Sequence, residues 1–171
     1  MIDGLPLTFF LPLVVHALAG LTAGITGVLT FVAPKRPGRH HQWGERYLVA
    51  YSVVVLMALI LSVQHWPEDA YLFGLALLGG SCALIGYTAR RFREERVVQH
   101  VLGEQWVVVH IVGMIGSYVV LWTAFYVDNG HLFPLVNRLP VLVFWLAPTL
   151  IAVPFLVRSL SRFAPRSATS A

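Results

Sequence analysis

The 171 residues are 57% hydrophobic and only 12% charged, with a mean hydropathy of +0.73. A soluble domain carries about 25% charged residues, so this composition excludes a water-facing globule of ordinary type and makes lipid the main solvent. The pI near 9.6 would suggest nucleic acid for a soluble chain, but nearly all the cations flank hydrophobic spans and no nucleic-acid partner is expected.

The length suits a single domain, expected over 1–163, with the small, polar stretch 164–171 as a disordered tail. Cys82 is the sole cysteine, which excludes an intramolecular disulfide. The opening Met1-Ile2-Asp3-Gly4 lacks the basic n-region of a cleavable signal, so the first span is expected to stay in the mature protein.

A transmembrane helix needs about 20 mainly apolar residues. Five segments meet or approach that length: about 8–32, 47–65, 70–88, 105–127 and 140–158. Backbone groups in hydrocarbon must pair within the segment, so each is expected to be a helix and the fold class is all-α, a polytopic transmembrane helical bundle. Connections of about 14, 4, 16 and 12 residues make consecutive helices antiparallel neighbours.

The basic residues give the orientation. If five helices alternate, eleven of the twelve Lys and Arg fall on one side, in the first and third connections and after the fifth helix, and only Arg138 falls opposite. The amino-terminus is therefore expected outside and the carboxyl-terminus in the cytoplasm. Tyr47, Trp66, Tyr71, Tyr87, Trp106 and Tyr126 lie near span ends, as an aromatic belt requires.

The first helix carries His16, Gly20, Gly24 and Gly27 on one face, a surface that lets another helix approach closely. The second has few small residues and is expected to face lipid in part. The third carries Gly74, Gly79, Gly80, Ser81 and Gly86, and the fourth sets His110, Gly113, Met114 and Ser117 on one face. Between them, 90–105 suits an interfacial helix with a charged turn. Pro140 suits the first turn of the fifth helix, where Pro148 and Pro154 predict a kink.

Seven histidines in so apolar a chain are the main chemical signal. An ionisable side chain inside a span is a functional candidate by default, and His16 and His110 lie within spans. Helical rise separates them by about 15 Å in depth, too far to share one metal. Depth instead suggests an inner cluster of His40, His41, His100 and His110 with Glu45, Glu104 and Arg46. An outer cluster would join His16 and His65, with His131 from the last connection. Two such clusters suit two b-type haems on histidine pairs, one metal, or quinone or proton sites. Metal ligands would come from His41, His110, His16 and His65. Arg46 suits haem propionates or anionic lipid headgroups. Singly, each histidine also has a bland reading: a ring bonded to a neighbouring backbone carbonyl, or a surface residue. No phosphate loop, Cys-x-x-Cys pair, nucleophile elbow or His-Glu-x-x-His motif occurs, which leaves hydrolytic and nucleotide-driven chemistry little support.

A longer pattern joins these residues. His16-x-x-x-Gly20 is followed by Lys35 and His41-x-x-Gly44-x-x-Tyr47. Next come His110-x-x-Gly113-Met114-x-Gly116-Ser117-Tyr118 and Thr123-Ala124-Phe125-x-Val127-x-Asn129. Over roughly 10–130 the chain resembles a family of bacterial predicted membrane proteins built on a domain of unknown function. The resemblance implies a small polytopic protein of the bacterial inner membrane, implies no reaction, and draws attention to His16, His41 and His110. Where the family opens its first connection with Lys-Gly, this chain has Lys35-Arg36-Pro37-Gly38.

Three functions fit these features. One is a haem b or metal protein passing electrons to or from quinone. Another is a non-catalytic accessory subunit of a larger membrane complex or homo-oligomer. The third is a small proton-coupled transporter relaying through His16 and His110.

Overall fold

In a computed structural model, residues 6–35, 38–134 and 138–164 are described, and every regular element among them is helical. The helices are α1 (Leu7–Val32), α2 (Arg39–Gln64), α3 (Ala70–Arg91), the short α4 (Arg96–Leu102), α5 (Trp106–Asn129) and α6 (Val141–Phe163). Five helical stretches are long and apolar enough to cross a membrane: α1, α2, α3, the stretch Arg96–Asn129 that contains α5, and α6. The chain is an all-α, multi-pass membrane protein. It divides into two compact units, Met1–Gly80 and Ser81–Ala171, with the division inside α3.

In the first unit α1 packs on α2. Lipid tails are as apolar as leucine, so helices associate here through close packing and polar bonds more than through burial of oil from water. The buried residues of α1 are accordingly small: Ala23, Gly24, Thr26 and Gly27. Those of α2 are Tyr47, Ala50, Tyr51, Val54 and Ser62, with the Tyr47 and Tyr51 rings stacked at 5.4 Å. Hydroxyls in hydrocarbon must find acceptors. Thr22, Thr26 and Thr30 donate in turn to Leu18 O, Thr22 O and Thr26 O at 2.8, 2.7 and 2.7 Å, so α1 satisfies its own threonines.

The second unit closes on two glycines. A Cβ added at Gly113 of α5 would lie 2.7 Å from the Cys82 carbonyl oxygen and 2.8 Å from the Gly86 Cα of α3. Only hydrogen fits there, so the two backbones cross in direct contact. α6 packs on α5, where Gly130 beyond the end of α5 leaves room for the Phe144 ring. Pro148 is the one buried residue of α6; most of its apolar side chains are exposed.

Several boundaries differ from expectation. α2 begins at Arg39, eight residues before Tyr47, because Gly38 (φ +113°) turns the chain and its carbonyl accepts from Gln42 N at 3.0 Å. Backbone pairing carries the helix beyond its apolar part, so His40, His41 and Arg46 stand on α2 and not in a loop. The expected interfacial helix over 90–105 is split: Arg90 and Arg91 form the last turn of α3, and only Arg96–Leu102 is α-helical, followed by a 3₁₀ turn at Gly103–Gln105. Pro140 is the residue before α6, and α6 runs on through Pro148 and Pro154 to Phe163. In a membrane helix, neighbouring groups tolerate such prolines. On α1, Gly20 has no atom within 4 Å of an added Cβ, so the close-packed seam begins at Ala23 and leaves Gly20 out. The tail after Ala164 and the side chain of His131 lie outside the described residues.

Candidate functional site

Each intramembrane histidine is bound across a helix pair by the same type of contact. In the first unit, His16 Nδ1 of α1 lies 3.2 Å from the Val54 carbonyl oxygen of α2. In the second, His110 Nδ1 of α5 lies 2.8 Å from the Gly86 carbonyl oxygen of α3. A carbonyl only accepts, so Nδ1 is the donor in both rings, and in a neutral ring the lone pair then resides on Nε2. Both carbonyls lie inside helices and already accept from their own fourth-following amides, so these contacts add a second bond to each.

The helices explain the placement. His16 sits two turns before Ala23, where the buried seam of α1 begins, and reaches α2 where Val54 is buried. His110 lies three residues before Gly113, so the turn of α5 that carries the ring also carries the glycine contact. The ring therefore meets α3 where the backbones are closest.

The other histidines stand elsewhere. His40 Nδ1 lies 3.0 Å from Thr30 O, near the end of α1. That contact requires the proton on Nδ1, which makes the 3.5 Å approach of Lys35 Nζ to the same nitrogen a proximity only. Lys35 Nζ itself donates to Thr30 O and Phe31 O at 2.9 and 3.0 Å, capping the negative end of α1. The Lys35 side chain is exposed by area, but the helix end crowds its ammonium, and the resulting desolvation holds its pKa below the ordinary lysine value.

His41 Nε2 is 3.3 Å from Glu45 Oε1 one turn on, both exposed. His65 stacks on Phe9 at 4.5 Å and lies 3.7 Å from Asp69 Oδ2. It stands eleven residues beyond Val54 on the chain of α2, about 16 Å by helical rise, so it is far from the carbonyl that holds His16. His100 is exposed on α4. Arg46 is exposed and its guanidinium lies over the Trp43 ring, 4.5 Å from the centroid. Lys35 as a helix cap and Trp43 as a support for Arg46 carried no functional expectation from sequence. Charge and i, i+3 spacing were the available signals.

Among the described residues, no group of three or more His, Cys, Asp or Glu is arranged to hold a metal ion. A closed, all-protein metal site is therefore not supported there, since such sites take three or four ligands. A haem asks less of the chain: one or two axial nitrogens with their rings held. Ligating histidines commonly donate the other ring N–H to a backbone carbonyl, and His16 and His110 meet that condition. No family model, curated protein or solved structure matches the chain.

Proposed function

We propose that this multi-pass protein binds haem b through its intramembrane histidines and passes electrons to or from quinone. The observation that supports it is the pair of Nδ1–carbonyl contacts, His16 to Val54 and His110 to Gly86. Each leaves Nε2 as the lone-pair nitrogen of a ring whose orientation is set by a second helix. His110 is the better ligand of the two, since its 2.8 Å bond is the shorter and the glycine crossing beside it fixes the backbone. His41 and His65 rank below them, because each lies beside a carboxylate one turn along its own chain and, among the described residues, neither is held by a second helix's carbonyl.

When bound, haem supplies one-electron transfer within the membrane. The chain's share is to hold the ring plane, donate from Nδ1 and raise the basicity of Nε2. The cation asymmetry supports an amino-terminus outside and a carboxyl-terminus in the cytoplasm, and the family resemblance supports a bacterial inner membrane.

The test is the absorption spectrum, with metal analysis, of full-length protein purified in detergent from haem-replete cells. A Soret band is expected, weakened or shifted in His110→Ala at unchanged helical content. A colourless, metal-free preparation would sink the reading.

A non-catalytic accessory subunit is the second reading. It is favoured by α6, which leaves an apolar surface including Leu142, Leu146, Leu150 and Ile151 more than half exposed. Its mark is co-purification with a membrane partner, while histidine variants alter only stability.

A further inference from the structure

Between α1 and α2 runs an open groove of about 650 Å³, and its wall is almost wholly apolar. Ala19 and Thr22 line it on α1, Val49 and Val53 on α2. The Thr22 hydroxyl is turned to Leu18 O at 2.8 Å, so the floor has spent its donor on its own helix. One end is different: Trp43, Glu45 and Arg46 close it. From Arg46 to Val53 the groove follows α2 for about 10 Å, from the start of the apolar stretch toward its middle.

The charges at that end are unequal. Glu45 is the single carboxylate, and it faces His41 at 3.3 Å. Arg46 is held by its stack on Trp43, and Lys35 and Arg39 stand at the same end of the two helices. A guanidinium pinned over an indole keeps its donors directed outward at little further entropic cost.

We propose that this groove is a binding site for one anionic glycerophospholipid. Its phosphate pairs with Arg46, and an acyl chain lies along Val49, Val53 and Ala19. Charge complementarity selects the occupant: a neutral isoprenoid would fill the apolar wall equally well but leave the held guanidinium unused. Guanidinium and phosphate match in geometry as well as charge. The groove shares no lining residue with the His16–Val54 contact and does not depend on haem being present.

The test uses the full chain in detergent, titrated with phosphatidylglycerol or phosphatidylcholine and read as bound lipid by native mass spectrometry. Wild type is expected to retain one phosphatidylglycerol about five-fold or more over phosphatidylcholine, the effect of one basic residue at an anionic surface. Arg46→Gln should abolish that preference, Arg46→Lys should keep part of it, and Arg138→Gln should leave it intact. Ala19→Phe, which fills the groove, should weaken both lipids alike at unchanged helical content. Millimolar inorganic phosphate should not displace the lipid. Equal retention of the two lipids by wild type would overturn the proposal. So would a preference that survives Arg46→Gln, retention of both lipids undiminished in Ala19→Phe, or displacement by phosphate alone.

Discussion

His110 donates to the carbonyl of Gly86, the residue whose Cα forbids a side chain at Gly113 one turn along α5. A polar bond and a backbone crossing thus share one turn of each helix. In hydrocarbon a hydrogen bond gains from such closeness, because no water competes at the crossing. The ring and the two glycines are expected to behave as one structural unit.

The glycine crossing can be tested against a glycine that looks the same in sequence. At Gly113 an added methyl would meet α3 backbone at 2.7–2.8 Å, which only separation of the helices relieves. Gly113→Ala is expected to destabilise by about 1–3 kcal/mol, the usual cost of overpacking. Gly20 has open space around it, so Gly20→Ala is expected to be neutral or to gain up to about 1 kcal/mol from helix propensity. Thermal or denaturant unfolding in one detergent compares the two; equal losses would contradict the crossing.

Loss of a histidine contact has a bounded effect on stability. His110→Ala and His16→Ala each remove one interhelical bond to a carbonyl that keeps its own helical partner. Measured bonds of this type in membranes average about 0.6 and reach about 1.7 kcal/mol. Losses in that range are expected, with coupling between His110→Ala and Gly113→Ala in a double-mutant cycle. A much larger loss that disappears on haem depletion would show the ring's ligand role separately from its packing role.

Lys35 offers a titration that reports a single side chain. It is the only lysine in the chain, so an amine-selective reagent reads Lys35 and the amino-terminus alone. Desolvation lowers its folded pKa. The unfolded chain then binds more protons between that lowered value and about 10.4. This contribution to stability is accordingly full above the ordinary lysine pKa and is lost as pH falls through the lowered one. Lys35 is expected to react with a midpoint below that of free lysine, and denaturation should restore the ordinary midpoint. An unshifted midpoint in the folded protein would refute the crowded helix end.

The one-turn pairs His41–Glu45 and His65–Asp69 are expected to matter little as ion pairs. Both have i, i+4 spacing; His41, Glu45 and His65 are exposed and Asp69 is partly buried. His41→Ala should change unfolding stability by less than about 0.5 kcal/mol, and His65→Ala, which also removes the ring stacked on Phe9, by about 0.5–1.5 kcal/mol. A loss of bound cofactor in either variant would promote that residue to a ligand.

Hydropathy located every long helix, because lipid demands a continuous apolar run and a helix is the structure that satisfies it. It failed where helices leave the apolar layer. The first turns of α2 and the end of α6 are polar, yet backbone pairing continues through Arg39 and Phe163. Pro37-Gly38 was the local sign of the α2 start, since such a pair marks a turn. The histidines were legible as polar groups in spans. Their acceptors were not, because the carbonyls of Val54 and Gly86 look like any others until packing selects them. Glycine spacing showed which surfaces permit close approach, but Gly113 was chosen over Gly20 by a partner helix that spacing does not name.

The His16–Val54 contact also bears on how the chain enters the bilayer. Donor and acceptor belong to two consecutive spans, and each intramembrane ring bonds within its own compact unit. The α1–α2 hairpin can therefore partition into lipid with its imidazole already paired, before α3 has left the ribosome. When α5 follows, it meets a Gly86 carbonyl that is already in place. Biogenesis is thereby spared the costliest intermediate for such a sequence, a lone polar ring waiting in hydrocarbon for a partner not yet made.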